Sequence, residues 1–147
     1  MLALGLKFKY PNLKKIIVPN NVYVAAWNSF LFSGGWDFEV IDANIDTWNI
    51  EHSKISGTGK DTAFLAVHNL GNIINVPALK KKYPDLLIVE DNCEGLFGKY
   101  EGEFAGTQSL IASLSFFGNK TITSGEGGAV LTSDHDLFEY LNSVRGQ

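Results

Sequence analysis

Apolar residues fall in short blocks separated by turns rich in Gly, Pro and Asn. Lys15-Ile16-Ile17-Val18-Pro19 is a continuous apolar run closed by proline, which predicts a buried strand. Asn20 or Asn21 is placed to cap a helix over residues 22–32, ended by Gly34-Gly35. Residues 38–42 read as the next strand, and 46–49 as a turn with extended chain. Thr62-Ala63-Phe64-Leu65-Ala66-Val67 is another buried strand, followed by a loop over 68–72. Residues 76–83 form a short helix with a basic face, stopped by Pro84. Leu86-Leu87-Ile88-Val89-Glu90 is the cleanest strand, with Asp91 at its carboxyl end. Strands are also expected at 113–117 and 127–132, and Asp134 caps a last helix through Val144. The first residues read as the tail of a helix stopped near Gly5.

Strands alternate with helices over the first two thirds, and the early strands are continuous apolar runs. That pattern predicts an α/β fold: a mostly parallel sheet sandwiched by helices. The last two strands are joined by too little chain for a helix. A hairpin or irregular antiparallel piece is expected there, which makes the sheet mixed.

Composition changes this picture little. The 147 residues are 45% hydrophobic and 19% charged, a globular balance that excludes a disordered chain. A formal charge of −4 argues against a general nucleic-acid binder, which needs a basic surface to displace counterions. No apolar run approaches the ~20 residues of a membrane span. The segment Met1–Leu6 meets Lys7 and Lys9 at once and makes a poor signal peptide. Cys93 is the only cysteine, so no internal disulfide or multi-cysteine metal site can form, and a cytoplasmic setting is expected.

In an open parallel sheet, ligands gather at the carboxyl ends of the strands. That rule directs attention to Tyr23, His68, Asp91 and the stretch after Phe117. Asp91 follows an apolar strand, so its carboxylate either seeks a cationic or hydrogen-bonding partner or caps the next turn. The second feature is Ser115-Phe116-Phe117-Gly118-Asn119-Lys120-Thr121-Ile122-Thr123-Ser124-Gly125-Glu126-Gly127-Gly128. One lysine sits there among small and hydroxyl-bearing residues. It could be a surface charge, a phosphate contact, or a desolvated amine that forms a Schiff base with a carbonyl. The glycine spacing matches neither a Walker loop nor the dinucleotide fingerprint. Lys80-Lys81-Lys82 reads as a solvated helix face, and Cys93 as a small buried residue.

These residues carry a resemblance. Glu90-Asp91-Asn92-Cys93-Glu94-Gly95-Leu96-Phe97-Gly98 and the Ser115–Gly128 block resemble pyridoxal-phosphate-dependent sugar aminotransferases of the DegT/DnrJ/StrS type. The match extends to Val18-Pro19 with Tyr23 and Asn28, to Asp42 with Asp46–Ile50, and to Val67–Asn72, and so covers nearly the whole chain. The Gly118–Thr123 block and the final Arg-Gly-Gln most resemble the perosamine-synthase branch, whose members aminate C4 of nucleotide-linked 4-keto-6-deoxy sugars. The resemblance implies the large domain of a fold-type I aminotransferase, with pyridoxal 5'-phosphate as cofactor. It implies a nucleotide sugar and glutamate as substrates, in amino-sugar and surface-polysaccharide biosynthesis, and a homodimer.

By the same resemblance, Lys120 matches the lysine that forms a Schiff base with the cofactor and moves the proton during transfer. Asp91 matches the carboxylate paired with the pyridine nitrogen. Ser115 matches a hydroxyl that binds the phosphate, and Tyr23 an aromatic stacked on the ring. Glu94 falls where the family carries a polar side chain near the phenolic oxygen. Relatives that dehydrate sugars carry histidine at the position of Lys120. His68 matches a loop histidine near the site and reads as structural. Tyr23 and Ser115 have alternatives, core packing and backbone satisfaction.

Residues 1–147 are expected to be part of one cofactor-binding large domain. The family's upstream phosphate-binding segment and its closing C-terminal domain find no match in these residues. The competing expectation is a truncated, non-catalytic dimerisation or regulatory module of the same family.

Overall fold

The computed structural model describes residues 1–56 and 59–146. Eight strands and four α-helices follow one another as α1 (Leu2–Lys9), β1 (Lys15–Pro19), α2 (Val24–Ser33), β2 (Asp37–Ile41), β3 (Thr62–Val67), α3 (Val76–Lys82), β4 (Leu87–Asp91), β5 (Lys99–Tyr100), β6 (Glu103–Phe104), β7 (Ala112–Ser115), β8 (Gly128–Leu131) and α4 (His135–Val144). Six strands form one sheet in the order β2-β1-β3-β4-β7-β8. All pairs are parallel except β7–β8, which are antiparallel. This is the mixed α/β sheet the apolar pattern predicts.

Alternate residues of each strand feed two separate cores. Ile16, Val18, Ala63, Leu65 and Val89 pack with Leu6, Phe30, Leu137 and Leu141, so α1, α2 and α4 cover one face. Ile17, Phe64, Ala66 and Ile88 pack with Ile50, Ile55, Val76 and Leu79, so α3 and the loop after β2 cover the other. With both faces covered, strand β3 is buried along its whole length, which is why it reads as an unbroken apolar run.

Several expectations need correction. Gly5 does not end the first helix, which continues to Lys9. Gly5 is instead a contact point: a Cβ there would stand 3.0 Å from both Ile111 Cδ1 and Leu137 Cδ1. Neither Asn20 nor Asn21 caps α2, whose N-cap is Tyr23 without a side-chain bond. Their amides are engaged across the loops, Asn20 Nδ2 donating to Asp42 Oδ1 at 2.7 Å and Asn21 Nδ2 to the Trp48 carbonyl at 2.8 Å. Asp134 does cap α4, accepting from Leu137 N at 2.9 Å. The β5–β6 hairpin has no counterpart in the strand expectations, because its strands are only two residues long. Its turn at Glu101-Gly102 has positive φ at both residues, 50° and 91°, as a tight two-residue hairpin requires.

Candidate functional site

The five parallel strands β2, β1, β3, β4 and β7 deliver their carboxyl ends to one edge of the sheet. The chain leaves β1 toward β2 on one side, while β3 lies on the other, so the loops after β1 and β3 part at this edge. A cavity of about 890 Å³ opens there, within the range of small-molecule sites. Tyr23, Asp91, Glu94, Ser115 and Lys120 all line it, brought from the ends of β4 and β7 and from the loops after β1, β4 and β7.

Asp91 is the last residue of β4 and pairs in register with Ser113 of β7. Strand alternation puts its side chain on the cavity face, while Glu90 points into the opposite core. Asp91 Oδ1 accepts from Cys93 N at 3.1 Å and stands 3.4 Å from Ser113 Oγ. Its Oδ2 has no hydrogen-bond partner among the described residues, so the carboxylate offers a free acceptor to the cavity. Asp91 does bond a backbone N–H of the next turn, so both expectations for it hold together.

Lys120 follows β7, its side chain 16% exposed, and its Nζ lies 3.4 Å from Glu94 Oε1. The other Glu94 oxygen accepts from Leu70 N at 2.8 Å. One carboxylate thus joins the loop after β3 to the lysine after β7. Lys120 is therefore no free surface charge, in contrast to Lys80, Lys81 and Lys82, which are all exposed. Ser115 Oγ accepts from Phe117 N at 3.3 Å, which leaves its own O–H proton available to a ligand. Tyr23 is 74% exposed on the rim, which removes core packing as its role.

Cys93 beside Asp91 is half-buried, and its thiol is pushed up to about 12, first by burial and then by the Asp91 charge. It is an inert thiol at neutral pH. His68 is fully buried against Glu90, a structural role. Asn69, Ser113 and Asn119 also line the cavity and were not singled out by sequence. Only the β4–β7 register brings Ser113 to Asp91, and nothing local in the sequence marks it.

The donor set fits pyridoxal phosphate on this geometry. An acceptor oxygen without a partner faces the cavity from Asp91, a free hydroxyl proton from Ser115, and a mostly buried amine from Lys120.

An α/β sheet with an amine, a carboxylate and a hydroxyl at its carboxyl edge defines a small-molecule site of the cofactor-binding kind. The chain matches the DegT/DnrJ/EryC1/StrS aminotransferase family over residues 1–147 and belongs to it. It is 34% identical over 151 residues to the GDP-perosamine synthase of Escherichia coli O157:H7, covering 100% of this chain and 40% of that protein. It is 33% identical over 146 residues to the GDP-4-keto-6-deoxy-D-mannose 3-dehydratase of Yersinia pseudotuberculosis, covering 95% of this chain and 36% of that protein. The solved E. coli GDP-4-keto-6-deoxy-D-mannose-3-dehydratase with bound hydrated PLP superimposes with a TM-score of 0.87 at 30% identity, over 98% of this chain and 39% of that one. The chain therefore spans about 40% of the length of the relatives it matches. Among its described residues, no helix is long and apolar enough to cross a membrane.

Proposed function

We propose that this chain is the cofactor-binding part of an enzyme that transfers an amino group from glutamate to the keto carbon of a nucleotide-linked 4-keto-6-deoxy sugar. The observation that carries the reading is the convergence of Lys120, Asp91 and Ser115 on one cavity from separate strand ends. Residues 1–147 are read as part of one pyridoxal-phosphate-binding large domain, because a single sheet organises them. The matched relatives include both perosamine synthases and 3-dehydratases. The lysine at position 120 favours amino transfer over dehydration.

Pyridoxal phosphate, when bound, supplies an aldehyde carbon and a pyridine ring able to take up electrons. Asp91 would hold a proton on the ring nitrogen, Ser115 would donate its hydroxyl proton to the phosphate, and Tyr23 would present its ring from the rim. Lys120 Nζ would hold the cofactor at its aldehyde carbon and would carry the proton at the reacting carbon. Glu94 Oε1 would orient that amine from 3.4 Å.

A homodimer in the cytoplasm completes the reading. Exposed apolar side chains stand along the loops at the site edge, with Trp48 55%, Leu70 66% and Phe97 61% exposed, and a second copy would cover them. The single unpaired thiol suits a reducing compartment.

The test is spectroscopic. Protein mixed with pyridoxal phosphate is expected to gain a visible absorption band, and borohydride followed by peptide mapping should fix the cofactor on Lys120. Lys120→Ala should remove both signals, and a band unchanged in that variant overturns the assignment.

A further inference from the structure

Among the described residues, a fully buried polar pair lies on the face of the sheet opposite the Asp91 side chain. His68 and Glu90 have no solvent exposure, and His68 Nε2 stands 2.9 Å from Glu90 Oε2. The hydrogen-bond partners decide the state of the ring. Ile74 N–H donates to His68 Nδ1 at 3.1 Å, so Nδ1 must carry a lone pair. The proton therefore sits on Nε2 and points at Glu90. Glu90 meets only donors: Gly106 N–H reaches Oε2 at 2.8 Å and Gln108 N–H reaches Oε1 at 3.1 Å. Its carboxyl is pushed up by burial, but the bonds from His68, Gly106 and Ser109 together hold it below its ordinary value.

This pair braces the loop that carries the cavity's carboxylate anchor. His68 Nδ1 closes a six-residue bow to Ile74, across the turn Asn69–Gly71. Inside that bow Leu70 adopts φ 53° and ψ 24°, a left-handed conformation that leucine rarely takes unless its surroundings impose it. In that conformation its N–H meets Glu94 Oε2 at 2.8 Å, and Glu94 Oε1 reaches Lys120 at 3.4 Å.

We propose that His68 and Glu90 are positioning residues. The fixed Nε2–H form of His68 holds the Leu70 N–H where it orients Glu94, and Glu94 in turn orients Lys120. The proposal rests on the reading of Glu94 and Lys120 as site residues, but its first test needs no cofactor.

In Glu90→Gln the side chain keeps its shape but loses its charge, and its one amide oxygen cannot serve both the Oε1 place, facing Gln108 N–H, and the Oε2 place, facing His68 Nε2–H and Gly106 N–H. A buried donor loses its acceptor, and the ring loses its anionic partner. The protein labelled with ¹⁵N should show His68 in the Nε2–H form. Glu90→Gln should weaken the bond to Nε2–H and shift the ring ¹⁵N resonances. It should also move the Leu70 amide resonance and speed exchange of the Leu70 and Ile74 amides by at least about tenfold. Glu94→Gln should move Leu70 while leaving Ile74 unchanged. Leu86→Ala, a core truncation on the same face, controls for lost stability and should leave both amides protected. His68→Asn, which keeps an acceptor near the Nδ1 position, should restore part of the Ile74 protection lost in His68→Phe. The proposal is overturned if Glu90→Gln alters the ring but leaves Leu70 unmoved, or if Leu86→Ala reproduces its effect. Pyridoxal phosphate is then titrated into each variant, with Glu90→Gln expected to bind about tenfold more weakly than the parent. If the parent binds none, the proposed function fails, while the Leu70 and Ile74 amides still decide the positioning.

Discussion

Asp91 stands opposite Ser113 across the β4–β7 ladder, and Ser113 Oγ lies 3.4 Å from Asp91 Oδ1. The serine and the Cys93 N–H both engage Oδ1 of a carboxylate that lines the cavity. The orientation of the Asp91 carboxylate is thus set by strand register and by the turn that follows β4. Asp91→Asn preserves shape and removes charge. It should weaken pyridoxal phosphate binding by about ten- to a hundredfold, the worth of one charged hydrogen bond, with an unchanged circular dichroism spectrum. Binding equal to the parent would remove Asp91 from the site.

Cys93 gives an independent reading of the same carboxylate. With the thiol pushed up to about 12, its thiolate fraction near pH 8 is smaller than that of a free cysteine by about a thousandfold or more. A disulfide reagent should therefore label native Cys93 slower by about that factor. Asp91→Asn should raise the rate, because the aspartate charge is the second cause of the shift after burial. A rate equal to that of the unfolded chain would refute the packing of this turn.

Glu51 makes acid stability depend on the loop after β2. Hydrogen bonds from Asn44 and then Ser53 hold its carboxyl at about 2, below the ordinary 4.5. The folded value is the lower one, so the unfolded chain binds the proton first as pH falls. The contribution is complete above the ordinary value and is lost progressively down toward the folded value. Thermal melts across that range should fall more steeply for the parent than for Glu51→Gln. Parallel pH profiles for the two proteins would contradict it.

Gly128 opposes Ser115 at the start of β8, and a Cβ there would stand 2.6 Å from the Leu114 carbonyl oxygen. A backbone atom in a ladder cannot move aside as a flexible side chain does. Gly128→Ala should cost about 1–3 kcal/mol, read as a lower urea midpoint at unchanged slope. It should also disturb the cavity edge at Ser115. A stability equal to the parent would mean that the ladder yields at no cost.

The sequence by itself determined the six strands of the main sheet and the order of the candidate residues along them. Runs such as Thr62–Val67 are legible because a strand covered on both faces needs apolar residues at every position. Asp91 and the loop of Lys120 drew attention because strand ends and glycine-bearing loops mark where a parallel sheet presents its ligands, while Ser115 rested on the family resemblance. Other features depended on partners far away in the chain. Gly5 looks like a helix stop until Ile111 and Leu137 are seen against it. Asn20 and Asn21 look like caps until Asp42 and the Trp48 carbonyl claim their amides. The fixed tautomer of His68 needs Glu90 on one side and Ile74 on the other. Local pattern specifies what each segment becomes, because propensity and burial act over a few residues. Hydrogen-bond partners across the sheet are chosen only when the strands pair, so orientation and protonation at this site belong to the tertiary structure.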